Sequence, residues 1–397
     1  MGALDGIRVL ELAQMWAVPG AGMYLGDQGA EIIKVEPPWG DEGRRIMSSS
    51  PIKTGDRELA RHFFPINRNK KSIAIDMTKK EGLEIVHKIS KTADILLHNY
   101  RPEACRRMGI DFETMHKINP RLIYLGFSPY GEKGPYVNKP GYDRVIQAVS
   151  GTYARQAAPG GSPIDAGVWI ADCSVPMLIA YGVTLALFMR ERTGKGQKVS
   201  ASLLGSALAM QSVELVRANI EDPNQIQNLA DQAMFSPYIC RDGKWFILVV
   251  VTNKEWVALS RTIGRADLSE KAGYGTALGR SANSDELFRI LCEKFATRPR
   301  KEWLDLLDDA GVPNAPILKP AEVFENPQIL QNEYIIEVDD PRVGPMKMLG
   351  IPVRLSDAPG SIRTLAPELG QHTSEVLAEL GYGGNEVKTL RSNKVVK

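Results

Sequence analysis

IRVLELAQMWAVPGAGMYLGDQGAEIIKV, residues 7–35, is the stretch that decides the fold. Ile7–Leu12 is a short apolar run of the kind a buried strand needs, and Ala13–Val18 is a loop. Pro19 lacks an N–H and suits a first helical position, so it opens a helix through Leu25. Glu31–Val35 is a second apolar run, which makes the unit strand–helix–strand. Outward from it the alternation continues. A strand at Ser72–Ile75 leads to a helix from near Thr78, and a strand at Asp94–Leu97 ends at His98-Asn99. A helix over Phe112–Ile118, a stop at Asn119-Pro120 and a strand at Leu122–Leu125 follow. This order predicts an α/β fold, a doubly wound Rossmann-like parallel sheet. Ligands of such sheets sit beyond the carboxyl ends of the strands, so Gln14–Ala17, Pro37–Asp41 and His98–Arg101 are candidates to line one crevice.

Residues 167–203, GVWIADCSVPMLIAYGVTLALFMRERTGKGQKVSASL, read as one buried helix with Asp172 as its N-cap and Gly194 and Gly196 as its stop. The large domain spans 1–215. Residues 217–236 are amide-rich and read as a linker. Strands at Ser236–Arg241 and Lys244–Val251, joined at Asp242-Gly243, open a smaller α+β domain over 225–325. Its helices are Lys254–Ile263, Ser284–Phe295 and Lys301–Ala310. The C-terminal segment, 330–397, returns to the large domain with an extended stretch at Pro341–Pro352 and a helix at Gln371–Gly381.

The chain has 397 residues, 43% hydrophobic and 24% charged, with a net charge of +2. That balance gives no global reason to bind nucleic acid or a membrane, so anion binding must be local. Cys105, Cys173, Cys240 and Cys292 are far apart and form no zinc or disulfide pattern. With no signal peptide and no unbroken apolar span, the expectation is a cytoplasmic protein.

Gly20-Ala21-Gly22 through Gly26 approaches a dinucleotide fingerprint. Its spacing is G-x-G-x-x-x-G and it stands away from the first strand, so the glycines read as close helix–sheet packing. Asn67-Arg68-Asn69-Lys70-Lys71-Ser72, backed by Arg101, Arg106 and Arg107, has the charge to hold phosphates; the alternative is a solvated loop.

LDGIRVLEL (4–12), GAEIIKVEPPWGD (29–41), NRNKKSIAIDM (67–77), NPRLIYLGFSPYGEKGPYVNKPGYD (119–143), QAVSG (147–151) and RERTGKGQKV (190–199) together closely resemble the family III CoA-transferases. That family also contains alpha-methylacyl-CoA racemase. The resemblance is dense over residues 4 to 205. It implies acyl-CoA and carboxylic acid substrates, no cofactor beyond CoA, no metal, and an interlocked homodimer. Asp172 aligns with the family's catalytic aspartate, a nucleophile that forms a mixed anhydride and then an aspartyl-CoA thioester. A carboxylate at a helix start is expected to stay ionised.

The resemblance also implies that Asn69, Lys70, Lys71, Ser72, Asn99, Arg101 and Arg107 hold the ADP end of CoA, with His98 a further contact. Gln14, Trp16 and Ala17 match the acyl-pocket loop, and the Trp16 or Ala17 N–H could serve an oxyanion. Trp16 beside Met15 suggests an acid larger or more apolar than oxalate. Tyr142 and Asp143 complete the substrate set. The racemase branch has His then Asp at this place, and Tyr142 is a poor base near neutral pH. Asp143 serves either as a second carboxylate near the acyl group or in a structural role. Two departures stand out: Pro37 occupies the place of a frequent Arg, and no glycine run between 205 and 260 supplies the loop that shields the anhydride. The rivals are the racemase and a non-catalytic CoA- or nucleotide-binding protein. The sequence does not name the acids.

Overall fold

The computed structural model describes residues 2–45, 51–54, 57–157, 161–218 and 233–397. The chain forms two compact units, Met1–Val216 with Gln331–Lys397, and Arg217–Leu330. Most of the expected linker, residues 219–232, and the start of the expected small domain at 225 lie outside the described residues.

The larger unit is built on β1 (Arg8–Leu12), β2 (Glu31–Glu36), β3 (Lys70–Ala74), β4 (Ile95–His98), β5 (Ile123–Ser128) and β6 (Lys198–Ser202). They form one sheet in the order β3-β2-β1-β4-β5-β6. Every neighbouring pair is parallel. The fold is therefore α/β and doubly wound. The strand order reverses between β1 and β4, and the loops leaving those two strands part to open a crevice.

Both faces of the sheet are covered, as a parallel sheet requires. On one face α1 (Ala17–Asp27), α6 (Ile170–Thr193) and α7 (Leu203–Ala209) pack against Val9, Ile95, Ile123 and Leu125. On the other, α2 (Lys80–Thr92) and α4 (Phe112–Ile118) cover Leu10, Leu12, Ile33 and Leu96. Between them in the chain lies α3 (Pro102–Met108), and α5 (Asp143–Val149) precedes α6. β6 has no counterpart among the expected strands. Its sequence, KVSAS, is polar and partly exposed, and its pairing with Tyr124–Ser128 rather than an apolar run defines it.

The glycines of α1 are packing residues. A Cβ on Gly20 would stand 2.9 Å from Pro176 Cγ of α6, one on Gly26 would stand 3.1 Å from Asn69 Cβ, and one on Gly22 would overlap the Glu11 carboxylate. α6 runs unbroken through Pro176 and is long and apolar enough, by length and composition alone, to cross a bilayer. Its Ala171, Val175, Ile179, Val183 and Ala186 are buried in the unit, while Met177, Tyr181, Leu185 and Phe188 are exposed.

The smaller unit has an antiparallel sheet of β7 (Pro237–Ile239), β8 (Trp245–Leu248) and β9 (Asn314–Pro316), with β8 central. α8 (Asn253–Thr262), α9 (Ser284–Phe295) and α10 (Arg300–Asp309) enclose Tyr238, Phe246, Trp256, Phe295 and Trp303. The C-terminal part of the larger unit holds a hairpin, β10 (Ile335–Asp340) and β11 (Gly344–Leu349), then α11 (Thr373–Glu379) and α12 (Gly384–Ser392). It is fastened along β3: His372 N–H donates to Ser72 O (2.9 Å), Ala74 N–H donates to Thr373 Oγ1 (3.2 Å), and Val396 bridges to Ile75.

Gly22→Ala should lower the unfolding free energy by about 2–4 kcal/mol, because the added methyl displaces a buried, ion-paired carboxylate. The exposed Gly384→Ala, whose Cβ meets nothing within 4 Å, should change it by less than about 0.5 kcal/mol. Urea denaturation of both variants checks the contrast.

Candidate active site

The crevice between β1 and β4 is fixed by side chains that tie its two loops together. The Asn99 amide, just past β4, donates to Gln14 O (2.8 Å) and accepts from Gln14 N–H (3.3 Å). Next to it Met15 adopts a left-handed backbone (φ 71°), unusual for a side chain of its size, and donates its N–H to Asp41 Oδ1 (3.0 Å). Asp41 is held by Lys34 (2.8 Å), and Lys34 also reaches Glu11 (3.1 Å) and Ala13 O (2.7 Å). Lys70 meets Glu11 from the other side (2.9 Å). Arg44 and Ser72 close the set on Glu36 (both 2.6 Å).

These groups are buried, and their charges answer one another. Burial would depress the Lys34 ammonium, but Glu11, Asp41 and Glu36 outweigh it and hold the pKa above its ordinary value. Burial would raise Glu36, yet Arg44, Lys34 and Ser72 bring it down to about 2. Lys70 goes the other way: burial, aided by the nearby Lys34 ammonium, lowers it to about 8 against the pull of Glu11.

Asp172 lies in the first turn of α6, but it is not the cap. Trp169 holds the N-cap position without a side-chain cap bond, which makes Asp172 the third helical residue. The cap comes from another element. Asp143, at the start of α5 and 4% exposed, accepts through Oδ2 from the N–H groups of Ala171 (2.8 Å) and Asp172 (3.0 Å). Its Oδ1 accepts from the Gln147 amide, which also donates to Val168 O (3.0 Å). The expected ionised Asp172 needs correction as well. Burial, and then the like charge of Asp143, push its carboxyl up to about 7. The helix-end field that favours a carboxylate is already answered by Asp143.

A cavity of about 620 Å³ opens at this point. It brings together Asp172 and Asp143 with Gln14, Trp16 and Ala17 from the loop after β1. Asn99, Arg101 and the largely exposed Tyr142 complete the expected residues in its lining. Pro37–Asp41 support the neighbouring loop without lining the cavity. A second cavity, of about 650 Å³, lies between the C-terminal hairpin and residues 359–365 and contains none of the expected residues.

Four of the expected CoA contacts, Asn69, Lys70, Lys71 and Ser72, stand outside the lining of the 620 Å³ cavity. These residues begin β3 at its amino end, away from the carboxyl ends that carry the crevice. Their polar groups already have partners. Asn69, itself left-handed (φ 59°), brackets the C-terminal return by accepting from Arg363 N–H (2.7 Å) and donating to Asp27 (2.8 Å). Lys70 is paired with Glu11, and Ser72 with Glu36. Lys71 meets Glu31, Glu375 and Glu379 at 2.8, 2.7 and 3.3 Å.

His98 is a fourth-strand core residue that borders a separate cavity of about 280 Å³. Its ring lies 3.6 Å from Cys105 Sγ, and burial with Lys198 nearby lowers its pKa to about 4. Arg107 is exposed in the last turn of α3, outside the 620 Å³ cavity.

Two residues were not expected. Trp169 lines the cavity and stacks on Trp16 with ring centroids 4.3 Å apart, and His62 stands edge-on to both. The spacing of Trp169 three residues ahead of Asp172 is a signal that could have placed it. His62 has none, since its proximity arises only in the fold.

The fold and this cavity are those of an α/β enzyme whose candidate reacting group is a carboxylate. The chain belongs to CoA-transferase family III, which matches residues 4–373, and is a CoA-transferase. It is 30% identical to the formyl-CoA:oxalate CoA-transferase of Streptomyces coelicolor over 99% of each chain. It is 32% identical to the human succinyl-CoA:glutarate CoA-transferase over 99% of this chain and 90% of that one. A solved CaiB/BaiF family protein from Brucella suis shares its fold with a TM-score of 0.83 and 31% identity, covering 96% of this chain and 99% of that one.

If Asp172 reacts as a carboxylate, activity should fall about tenfold per pH unit below about 7 and level off above it. Asp143→Asn keeps an oxygen for the α6 amides but removes the like charge, so the midpoint should move down by about one unit. Asp172→Asn should cut turnover on the order of 1000-fold. A carboxyl raised from 3.8 to about 7 withdraws stability as pH climbs through that interval. The Asn variant should therefore be more stable at pH 8, by about 1–2 kcal/mol after allowance for partial exposure, and the gain should vanish below pH ~4. pH–rate profiles and melting curves measure these outcomes.

Proposed function

We propose that the enzyme moves CoA between two carboxylic acids through covalent intermediates on Asp172. The observation that carries this reading is a carboxylate at the mouth of the switch-point cavity whose own helix amides are already capped by Asp143. An Asp172 oxygen attacks the thioester carbonyl of the donor, the C–S bond breaks, and CoA leaves as a thiolate. The product is a mixed anhydride. The thiolate then attacks the aspartyl carbonyl, and the first acid departs with the anhydride C–O electrons. The second carboxylate attacks the resulting aspartyl-CoA thioester to form a new anhydride and free the thiolate. Attack of the thiolate on the new acyl carbonyl yields the second acyl-CoA and restores Asp172. No water is consumed, and atoms and charge balance at each step.

In this reading CoA is the only cofactor-like component. Its pantetheine arm enters the 620 Å³ cavity, while Arg101 at the rim and Arg107 along α3 meet its phosphates. The N–H groups at the start of α1, which has no side-chain cap, are candidates to stabilise the oxyanion. The racemase reading is weaker. It needs two free proton carriers, and the Asp143 carboxylate is occupied by three N–H donors.

We propose further that a second copy of the chain covers the exposed face of α6. Met177, Tyr181, Leu185 and Phe188 recur at helical spacing and are between 46% and 63% exposed.

Incubation with acyl-CoA and hydroxylamine, followed by peptide mass spectrometry, should find a hydroxamate on Asp172. Absence of the adduct with every acyl-CoA tried would count against the mechanism. Light scattering during gel filtration should give twice the chain mass for the wild type, and Tyr181→Glu with Phe188→Glu should shift it towards the monomer.

A further inference from the structure

Two indoles flank the Asp172 end of the cavity, and they come from two different elements. Trp16 is the N-cap residue of α1 and Trp169 the N-cap residue of α6. Their rings are inclined by only 22° with centroids 4.3 Å apart, and the His62 ring packs edge-on at 5.7 Å from Trp16 and 5.1 Å from Trp169. Three segments distant in sequence therefore converge on one aromatic wall, and both indoles line the cavity that holds Asp172. Phe127, Pro129 and Leu203 extend the apolar lining.

The wall offers little to a second negative charge. Burial and then the neighbouring Arg61 lower the His62 pKa, which disfavours a positive charge on its ring. The Trp16 Nε1–H is buried and has no acceptor among the described residues, and its ring is stacked on Trp169. Among the lining cations, Arg144 is ion-paired with Asp165, Lys139 lies over the Tyr136 ring, and Arg101 belongs to the rim assigned to CoA. A second carboxylate laid along the Trp16–Trp169 face would meet ring carbon, and burying an unpaired carboxylate is strongly unfavourable. A flat apolar body would gain both burial and stacking on the indole face.

We infer that at least one of the acids exchanged on Asp172 is an apolar monocarboxylic acid, aryl-substituted or branched, whose body lies along the Trp16–Trp169 wall. This rests on the transferase reading and deepens it by naming the substrate class. It also sets this chain apart from relatives named for oxalate and glutarate.

The test uses the full chain with acetyl-CoA and succinyl-CoA as donors. Acceptors are phenylacetate, cinnamate and 4-methylpentanoate on one side, and oxalate, succinate and glutarate on the other, with acyl-CoA products quantified by chromatography. The wild type should show kcat/KM at least tenfold higher for the best apolar acid than for any dicarboxylate, a comparison that requires no variant to fold. Trp169→Leu should lower the ratio of kcat/KM for aryl acid over acetate tenfold or more, chiefly through KM. Turnover of dicarboxylates with no turnover of apolar acids overturns the inference while leaving the transferase reading standing, as does a Trp169→Leu ratio equal to that of the wild type. Failure of every acyl-CoA to label Asp172 overturns both.

Discussion

The candidate site depends on one carboxylate doing another's local duty. A long helix exposes N–H groups at its start that must find acceptors, and an aspartate in the first turn is the obvious supplier. If Asp172 bonded to those groups it would be held and neutralised in place. Asp143 reaches in from α5 and takes the N–H groups of Ala171 and Asp172 itself, leaving the Asp172 side chain uncommitted. The consequence is electrostatic. Burial around it, and then the like charge beside it, push the Asp172 carboxyl up to about 7. A carboxylate that is more basic than usual is also a better nucleophile once ionised, so on the proposed mechanism the arrangement would raise reactivity at the expense of ionisation.

The opposite wall is held by paired charge rather than by packing. Glu11, Glu36 and Asp41 face Lys34, Lys70 and Arg44 in a connected set at the end of β1 and β2. Buried pairs of this kind add little net stability, yet removing one partner strands the other. What the set does add is position. Asp41 holds the N–H of Met15 in a left-handed turn, and that turn carries Trp16 and the start of α1 into the cavity.

Most of the large sheet was legible because its strands are apolar on both faces and alternate with helices in a simple order. β6 was not, since a polar edge strand becomes a strand only by pairing with Phe127 and its neighbours. The place of Asp172 in the first turn of α6 was legible, but not that Trp169 holds the N-cap position. The residue type and place of Asp172 favour capping, and nothing nearby in sequence announces that Asp143, 29 residues earlier, has taken the amides. The partners of the basic run from Arg68 to Lys71 were hidden for a similar reason, since Asp27, Glu11 and Glu379 lie 41, 59 and 308 residues away. His98 followed the rule that strand ends face ligands, but its ring turned instead towards Cys105 and Tyr124.

On the mechanism proposed above, substrate choice and protection of the anhydride are linked by the same walls. A mixed anhydride persists only where water is kept from it, and no glycine run between 205 and 260 is present to form a closing loop. On the proposed mechanism the cavity and its occupant can supply that dryness. Trp16, Trp169, Phe127 and Leu203 supply apolar surface on the protein side, while Tyr142 at the mouth is 73% exposed and leaves that side open. A small dicarboxylate would carry its hydration into such a space. On the proposed mechanism an apolar acyl body would displace that water and cover the anhydride from the open side, so the contacts proposed to select the acid would also be those that protect its anhydride.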